Sequence, residues 1–395
     1  MNERPLAIVP VWFYDDQTGY QDFRQRIGAL ATRWRVVVVV RDLGFLRELD
    51  DLAVAVEVLP ARGGSRWQML AWCFRLLPWI ANRRPDLVFL LGTQVAPLAL
   101  GLPSAMPTLL YWNVHPSQLF DVQTRRLPTR WFNALATHLT YWAASKASLV
   151  FPIGQRLRQD LLLHKVLPLR AVTIPLGVSD VHTGLGPVSI RRLRRGETLR
   201  LVIAGSINTE RGRDVMLEAI ALLRQEALPV HLTMIGLAPA QLPALAEQVD
   251  RLGIGRDVAL LGRLPGNEIP RYLAQAHIGL SLLADRPWYY FNPSTKVSEY
   301  LANGLAVIAS DIASHRDLVT EGGPGWLCQF QAADLARVVK ARLDSPESVA
   351  AASQNALAAG EKLAWSKLEP DFIALCRRAV APTWRAARDR QIASL

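Results

Sequence analysis

Short apolar runs that alternate with helix-like segments constrain the fold of this chain more than any other feature of the sequence. Residues 6–11 and 36–40 are uninterrupted apolar runs, and residues 20–33 between them have a helical pattern. Parallel strands that are covered on both faces read as continuous apolar runs, because neither face meets water. The sequence therefore predicts βαβ units, which build a parallel sheet with helices on its faces.

The same alternation continues through both halves of the chain. The further predicted strands are residues 86–91, 108–112, 147–151, 199–204, 230–235, 258–261, 278–282 and 306–309, and the helices of the second half are 214–225, 239–252, 268–275 and 296–303. A chain of 395 residues is long enough for two domains with separate cores. We therefore expect an α/β protein of two doubly wound, Rossmann-like domains.

Glycine, proline and arginine concentrate where the two halves meet. Residues 175–187 contain two prolines and three glycines, and the basic run 191–195 follows. This composition is typical of a linker. Ligands of open α/β sheets bind at the carboxyl ends of the strands, so a cleft between two facing domains is the expected site.

The positive charge lies entirely in the first half. Residues 1–200 carry 25 Lys and Arg against 14 Asp and Glu, whereas residues 201–395 carry 20 of each kind, and eight of the 12 tryptophans lie in residues 1–150. Basic residues among large apolar ones indicate an anionic membrane surface or nucleic acid. The stretches 66–84 and 125–146 would contact the membrane, or would be ordinary core helices. No helix-turn-helix, zinc or RNP motif occurs, and we favour the membrane over nucleic acid.

Three further features of the sequence concern the cellular location of the protein. No apolar run reaches the ~18–20 residues that a membrane span requires. The first ten residues lack the order of a signal peptide. Cys73, Cys328 and Cys376 have neither metal nor disulfide spacing. We therefore expect a cytoplasmic protein that is peripheral on the inner face of the plasma membrane.

The helix that follows Asn292 carries the strongest candidate site. Asn292 or Ser294 is expected to cap it. Its first-turn N–H groups, the positive end of its dipole and Lys296 together favour an anion such as a diphosphate. Glu299 lies on the same face as Lys296 and would hold sugar or ribose hydroxyls. The alternative is an ordinary capped helix with a local ion pair.

Several motifs, taken in order, resemble family 4 glycosyltransferases of the GT-B fold, most strongly over residues 199–330. They are Ile174-Pro-Leu-Gly-Val178, Leu201-Val-Ile-Ala-Gly-Ser206 followed by Glu210-Arg-Gly212, Val258-Ala-Leu-Leu-Gly-Arg-Leu-Pro265, Glu299-Tyr-Leu-Ala-Asn-Gly304 and Trp365-Ser-Lys-Leu. In the family, the corresponding segments close the acceptor domain, open the donor domain, meet the nucleotide base, end the Glu-x7-Glu motif and begin the helices that cross back to the first domain.

The resemblance implies a GT-B enzyme of two domains that face each other across a cleft. The acceptor-binding domain would be residues 1–180, the linker 181–198, the donor domain 199–365 and the returning helices 366–395. The activity implied is that of a retaining, hexosyltransferase-type glycosyltransferase that uses a nucleotide sugar. We favour UDP over GDP only because UDP is the commoner nucleotide. The acceptor would be a glycolipid or a polysaccharide. We expect no cofactor, and the lack of an Asp-x-Asp motif predicts no essential metal.

This chain departs from the family pattern in three places. Phe291 stands where the first glutamate of the Glu-x7-Glu motif belongs, Ser206 replaces the usual arginine, and Arg211 replaces the usual lysine. The variant Pro-Ser-Thr-Lys-x-x-Glu-Tyr resembles a branch of the family that carries Pro-x-Lys-x-x-Glu-Tyr. By that resemblance, Lys296 does part of the phosphate binding that Ser206 cannot do.

The predicted donor site combines the helix start with the family motifs. Its residues are Gly205, Ser206, Arg211, Gly262, Arg263, Leu264, Ser294, Thr295, Lys296 and Glu299. Arg211 and Lys296 would stabilise the leaving diphosphate, and Glu299 would contact ribose or sugar. The alternatives are that Arg211 is a solvated residue at a helix start and that Glu299 pairs with a surface lysine.

The first half supplies two further candidates. His115 follows a predicted strand and would contact the donor sugar or orient the acceptor hydroxyl; alternatively, it makes a local cap. Gly19 lies in the loop after the first strand, where glycine allows backbone to approach a ligand closely. Asp15 and Asp16 in the same loop are weaker candidates. The histidines at 138, 164, 231 and 277 have apolar surroundings in the sequence and are expected to be structural.

Two other functions stay open at this point. Non-hydrolysing nucleotide-sugar epimerases share the same fold, although no paired catalytic acids are evident near the predicted cleft. A basic membrane- or nucleic-acid-binding protein without catalysis is the alternative from another class.

Overall fold

The chain folds into two units, one of which is made of two separate stretches of sequence. The computed structural model describes residues 4–12, 20–42, 49–61, 63, 65–120, 127–179, 189–320 and 322–381. The first unit comprises Met1–Leu176 together with Ser366–Leu395, and the second comprises Gly177–Trp365. The first unit therefore takes in the end of the chain as well as its beginning.

The first unit is built on a six-stranded parallel sheet. Its strands are β1 (Leu6–Pro10), β2 (Arg35–Val40), β3 (Ala55–Val58), β4 (Leu87–Leu91), β5 (Thr108–Trp112) and β6 (Leu149–Pro152). Helices along this part of the chain are α1 (Tyr20–Ala31), α2 (Arg66–Arg83), α3 (Pro116–Leu119), α4 (Leu127–Lys146) and α5 (Gln155–Leu163). The strands pair in the order β3-β2-β1-β4-β5-β6.

The second unit repeats this architecture. Its strands are β7 (Leu199–Ala204), β8 (Val230–Leu237), β9 (Val258–Gly262), β10 (Ile278–Ser281), β11 (Ala306–Ser310) and β12 (Gly325–Cys328). Its helices are α6 (Arg213–Gln225), α7 (Leu242–Arg251), α8 (Ile269–Gln275), α9 (Pro287–Phe291), α10 (Thr295–Ala302), α11 (Ala313–Arg316), α12 (Ala332–Asp344) and α13 (Glu347–Gly360). The strands pair in parallel in the order β12-β11-β10-β7-β8-β9.

Both faces of the second sheet are buried, and β7 shows this directly. Leu201 and Ile203 belong to one cluster of buried residues, whereas Val202 and Ala204 belong to another. Successive side chains of a strand point to opposite faces of the sheet. The two clusters therefore lie on opposite faces, which explains why residues 201–204 of this strand read as an unbroken apolar run.

The predicted α/β fold is confirmed at the level of its strands. Every strand predicted from an apolar run is present, and its ends differ from the prediction by at most two residues. The strands that were not predicted are β3 and β12, which form an outer edge of the first and the second sheet, respectively.

The last helix, α14 (Trp365–Val380), packs into the first unit from Ser366 onwards. The ring of Phe372 is fully buried and lies 5.7 Å from the ring of Phe89 on β4 and 5.7 Å from that of Phe151 on β6. The guanidinium of Arg26 on α1 lies 5.9 Å from the Phe372 ring and 4.1 Å from that of Tyr111. The helix thereby packs against the side of the first sheet that contains β4 and β6.

The basic run that the sequence suggested as a linker packs on the second unit. The backbone N–H of Arg191 donates to Oγ of Ser353 (2.8 Å), and its guanidinium donates to the carbonyl of Asn303 (3.3 Å). Leu193 is buried in the core of that unit. Residues 180–188, in the same stretch, lie outside the described residues.

The two tryptophan-rich helices of the first unit, α2 and α4, lie next to each other. Both contact the 3₁₀ segment Thr93–Leu100. The rings of Trp67 on α2 and Phe132 on α4 lie 4.4 Å apart, so the beginnings of the two helices adjoin. In the described ranges, no helix has the length and apolar character that crossing a membrane requires.

Candidate active site

The strand order of the second sheet places a crevice beside β7. This strand pairs with β8 on one side and with β10 on the other, and the order of the sheet reverses there. The connections that leave the two central strands run to opposite faces of the sheet, which opens a crevice at their carboxyl ends. Gly205 follows β7 at this edge, and Ser281 ends β10. A ligand of this unit is therefore expected between these two strand ends.

Gly205 lies beneath the side chain of Lys296, which reaches it from α10. The φ of Gly205 is +107°, a conformation that residues with a side chain rarely adopt. A Cβ at this position would lie 3.1 Å from Cε of Lys296 and 3.4 Å from its Nζ. The missing side chain thus lets the ammonium approach the turn that ends β7.

Lys296 is a buried basic side chain that has no hydrogen-bond or ion-pair partner among the described residues. Its side chain forms no hydrogen bond or ion pair with any of the described residues, and the residue is only 9% exposed. Burial, together with the positive charge of Arg211, lowers the pKa of Lys296 to about 7, although the charge of Glu299 acts in the opposite sense. The buried amine of Lys296 is therefore suited to bind an anion, and none of the described residues supplies one in direct contact with it.

The loop after β7 holds the second cation of the predicted site. The backbone N–H of Arg211 donates to Oδ1 of Asn208 (3.0 Å), which caps the beginning of the short 3₁₀ turn Thr209–Arg211. The guanidinium lies 3.5 Å from the carbonyl oxygen of Ser206 and is half-buried. Gly212 follows with φ +74° and allows α6 to begin. The loop therefore brings Arg211 and Ser206 to the same strand end as Gly205.

The beginning of α10 differs from an ordinary capped helix. Ser294 occupies the N-cap position, but its side chain makes no capping hydrogen bond. Thr295 is exposed and Glu299 is partly buried. Burial raises the pKa of Glu299, although the charge of Lys296 lowers it, and the two side chains form no ion pair in this described segment. The side chain of Ser294 therefore does not cap the helix, and no ion pair joins Lys296 to Glu299 within the described residues.

Gly262, Arg263 and Leu264 lie at the end of β9, which is two strands away from β7. Neighbouring strands are about 4.8 Å apart, so this edge is roughly 10 Å from the end of β7. Leu264 is partly buried against the core, and Arg263 is exposed. The structure therefore separates these residues from the phosphate candidates by about the length of a nucleoside.

His115 belongs to the first unit and makes local contacts with both ring nitrogens. It is the N-cap residue of α3, and its Nδ1 accepts from the backbone N–H of Ser117 (3.2 Å). Its Nε2 therefore carries the hydrogen and donates to Oη of Tyr141 (3.0 Å). In this conformation His115 cannot accept a proton from a substrate without first losing a protein partner.

Tyr141 links His115 to a buried carboxylate. Its Oη donates to Oδ2 of Asp160 (2.6 Å), and its ring stacks on that of His164 at 3.6 Å. Burial raises the pKa of Tyr141, and the charge of Asp160 raises it further. The sequence predicted a structural role for His164, and this stacking is such a role; it did not single out Tyr141 or Asp160.

One candidate loop cannot be placed. Gly19, Asp15 and Asp16 lie outside the described residues. Within the ranges that are described, no group of three or more His, Cys, Asp or Glu side chains is arranged to hold a metal ion.

Sequence reasoning missed the polar cluster under the start of α10. His315 is fully buried on α11, and its Nε2 lies 3.1 Å from Oγ of Ser281 at the end of β10. The sequence signal for this cluster is serine at the ends of two strands. Ser281 ends β10 and Ser310 ends β11, and both strands contact α10.

Two doubly wound parallel domains with this strand order define the GT-B fold, which is confirmed. Residues 22–177 match the family model described as glycosyl transferase 4-like domain, and residues 198–345 match the model described as glycosyl transferases group 1. These two matches together span most of the chain. The protein is therefore an enzyme, a glycosyltransferase of the GT-B fold with a group 1 domain in its second half.

Solved structures show the same fold at low sequence identity. The structure of Anabaena HepE in complex with UDP and glucose is 18% identical, with a TM-score of 0.72 over 94% of this chain and 99% of that one. WaaG, a glycosyltransferase involved in lipopolysaccharide biosynthesis, is 16% identical, with a TM-score of 0.69 over 93% and 98%. A putative UDP-N-acetylglucosamine 2-epimerase from Listeria monocytogenes is 15% identical, with a TM-score of 0.62 over 94% and 95%. No curated protein sequence matches this chain.

Proposed function

We propose that this glycosyltransferase moves a hexosyl group from a UDP-sugar to a lipid-linked or polysaccharide acceptor, with retention of anomeric configuration. The observation that carries the proposal is the buried side chain of Lys296 over Gly205, at the reversal point of the second sheet, where none of the described residues pairs with it. Support for UDP over GDP comes from HepE, which was solved with UDP and with UDP-glucose. The family matches favour sugar transfer over the epimerase alternative.

The donor site acts on the charge of the leaving group. As the bond from the sugar C1 to the β-phosphate oxygen breaks, negative charge develops on the diphosphate. Lys296, Arg211 and the N–H groups at the start of α10 stabilise that charge, because they are oriented before the reaction begins. Glu299, one turn further along the helix, holds ribose or sugar hydroxyls. Phe291, in place of the family's first glutamate, contributes no carboxylate to the sugar.

Retention follows from attack on the face that the diphosphate leaves. The acceptor hydroxyl oxygen bonds to C1 on that face, and its proton passes to the oxygen of the departing phosphate. This scheme uses no protein base, which suits the occupied ring nitrogens of His115; His115 contributes contact with the donor sugar or the acceptor. The anomeric proton coupling of the product, compared with that of the donor by NMR, tests retention. An inverted product would contradict it.

The donor site is tested by calorimetric titration of UDP and GDP. Lys296→Ala removes a charged hydrogen-bond donor, and Kd for UDP should rise by roughly tenfold to a hundredfold. Glu299→Ala should weaken binding of UDP as well, provided that the carboxylate holds the ribose. Lys340→Ala and Glu218→Ala make the same changes at exposed positions of the same unit and should leave Kd unchanged. If the folded wild-type protein binds no nucleotide, or if Lys296→Ala binds like Lys340→Ala, the proposal fails.

We further propose that the enzyme is peripheral on the inner face of the plasma membrane and binds it through α2 and α4. Large apolar side chains on these helices are exposed: Trp67 (66%), Phe74 (71%), Leu127 (64%), Trp131 (76%), Leu135 (58%) and Trp142 (50%). On α4 they recur at helical spacing and form one stripe. Contiguous exposed apolar surface of this kind marks an interaction site.

The charges around this stripe favour an anionic bilayer. Neither Arg66–Arg83 nor Leu127–Lys146 contains an acidic residue. Arg75 and Arg130 are exposed, and Nζ of Lys146 lies 5.9 Å from the ring of Trp142. Tryptophan at the lipid interface beside basic residues combines apolar insertion with attraction to anionic headgroups. An acceptor carried by a lipid would then be reached from the membrane surface.

Vesicle sedimentation tests the membrane surface. The protein should bind phosphatidylglycerol vesicles and bind phosphatidylcholine vesicles weakly. Phe74→Ser combined with Trp131→Ser should reduce binding, whereas Leu163→Ser, at an 82% exposed position on α5, should not. Equal binding by the double variant and the control would refute the assignment of the surface. Tighter binding to an oligonucleotide than to anionic vesicles would favour the nucleic-acid alternative.

A further inference from the structure

A chain of buried hydrogen bonds connects the ends of β10 and β11 with the beginning of α10. Its members are His315 on α11, Ser310 at the end of β11, Ser281 at the end of β10 and Ser294 at the N-cap of α10. They are 0%, 1%, 1% and 9% exposed, respectively. Only Ser294 was assigned to the donor site from the sequence. The other three residues have no part in the proposed chemistry.

The direction of every hydrogen bond in this series follows from the backbone carbonyl of Ser310. Nδ1 of His315 lies 2.8 Å from the backbone oxygen of Ser310, which can only accept, so Nδ1 carries the hydrogen. In the neutral ring Nε2 is then an acceptor, and Oγ of Ser281 donates to it (3.1 Å). Having given its hydrogen to His315, Ser281 accepts from Oγ of Ser294 (3.0 Å). The hydroxyl hydrogen of Ser294 therefore points towards β10.

His315 stays neutral at ordinary pH, which keeps this direction constant. Burial lowers the pKa of His315 to about 4, and the positive charge of Lys296 also lowers it, while the hydrogen bond to the carbonyl of Ser310 acts in the opposite sense.

Ser314, the residue before His315, makes a second contact with the connection between β10 and α10. Oγ of Ser314 donates to the backbone oxygen of Tyr289 on α9 (2.5 Å). Helix α9 lies in the connection between β10 and α10. The short helix α11 therefore holds this connection at α9 and, through Ser281, at its final residue Ser294.

We propose that His315 is a positioning residue of the donor site: through Ser281 it fixes Ser294, and with it the first turn of α10, against the end of β10. The inference rests on the proposed donor function. Ser294 then contributes to binding by its placement, because its hydroxyl hydrogen is already donated to Ser281. The N–H groups of the first turn, which the Ser294 side chain leaves uncapped, are thereby aimed at the diphosphate.

Ser281→Ala tests the proposal because it breaks the chain without altering His315 or Ser294. Kd for UDP should rise by about three- to tenfold, the effect of one hydrogen bond. Ser353→Ala is the matched control: Oγ of Ser353, also fully buried, donates to the carbonyl of Gly304, beyond the other end of α10 (2.6 Å). It should lower thermal stability and leave Kd unchanged. His315→Leu should reproduce the loss, and Ser281→Ala keeps the test valid if that variant does not fold.

A double variant separates positioning from a merely structural role. If Ser281 and Ser294 act in one chain, Ser294→Ala should weaken UDP binding in the wild type but add little in the Ser281→Ala background. Independent effects that add would overturn the inference. So would a Ser281→Ala protein that melts earlier but binds UDP like the wild type; in that case the donor function stands. If the wild-type protein binds no nucleotide, there is no donor site to position and both proposals fall.

Discussion

Binding of a nucleoside diphosphate should weaken steeply as the pH rises from 7 to 9, because of Lys296. Its pKa in the free protein is lowered to about 7 by burial and by the charge of Arg211. The lysine is then about half protonated at pH 7 and about 1% protonated at pH 9. A bound diphosphate favours the ammonium and raises this pKa again, so binding takes up a proton. With a pKa above 9 in the complex, the apparent Kd should rise about 50-fold between these two pH values.

Calorimetry measures both parts of this prediction. Kd for UDP is determined between pH 7 and 9, where the phosphates of UDP are already ionised. At pH 8, titrations in two buffers of different ionisation enthalpy should show uptake of about 0.9 proton. The other charged or titratable groups that interact with Lys296 are Arg211, His315, whose pKa is lowered to about 4, and Glu299, whose pKa is raised. Glu299→Gln isolates the contribution of the lysine.

Two substitutions serve as controls for the titration. Lys296→Arg retains a charge across the whole range, and Lys296→Ala has none, so both should bind UDP with a Kd that does not change between pH 7 and 9. A wild-type Kd that is equally flat would refute the reasoning. Proton uptake of the same size in Lys296→Ala would assign the effect to another group.

Three other predictions concern stability and the approach to the site. The free energy of unfolding of the ligand-free protein, measured with urea, should rise by about 2 kcal/mol between pH 7 and 9. The reason is that the unfolded lysine keeps its proton up to its usual pKa of 10.5, while the folded Lys296 does not. Lys296→Met should remove this increase, and a wild-type protein whose stability does not depend on pH would contradict the prediction. Tyr141→Phe should cost about 1–3 kcal/mol in the same assay, because the buried Oδ2 of Asp160 loses the hydrogen bond that Tyr141 donates, and an unchanged midpoint would contradict this. Gly205→Ala should weaken UDP binding by moving Lys296. Gly253 also has a positive φ, but nothing lies within 4 Å of an added Cβ there, so Gly253→Ala should affect stability alone. Equal Kd values for the two variants would argue against the contact between Gly205 and Lys296.

The sequence predicted the interior of each sheet better than its edges. The strands covered on both faces, such as β4 and β11, are unbroken apolar runs and were predicted to within two residues. The edge strand β3 has the sequence Ala-Val-Glu-Val and is partly exposed, and β12 begins with glycine and is only four residues long. β3 and β12 each have a partner on one side only and are not fully buried, so they need no apolar run that would reveal them, whereas the edge strands β6 and β9 are apolar and were predicted.

The candidate site shows the same limit at the level of single residues. Lys296 and Glu299 share one helix, and their relation follows from its period. The contact of Lys296 with Gly205 joins residues that are far apart in the chain, and it depends on β7 and β10 being neighbours. His115 was predicted from its place after a strand, but its hydrogen bond to Tyr141 depends on how α4 packs. Such contacts require the order of the strands and the packing of the helices, which a single sequence does not provide.

The composition of the first unit from both ends of the chain has a consequence for synthesis. The second unit is a continuous stretch, Gly177–Trp365, and all of it has been translated before the residues of α14 emerge. The first unit has to wait, because its core includes Phe372, which packs against Phe89 and Phe151. Domains usually complete folding in the order in which the ribosome releases them. In this chain the second unit can complete folding before the first, although it is translated later. A nascent chain that stalls before residue 372 leaves the apolar surface that Phe372 covers exposed to chaperones.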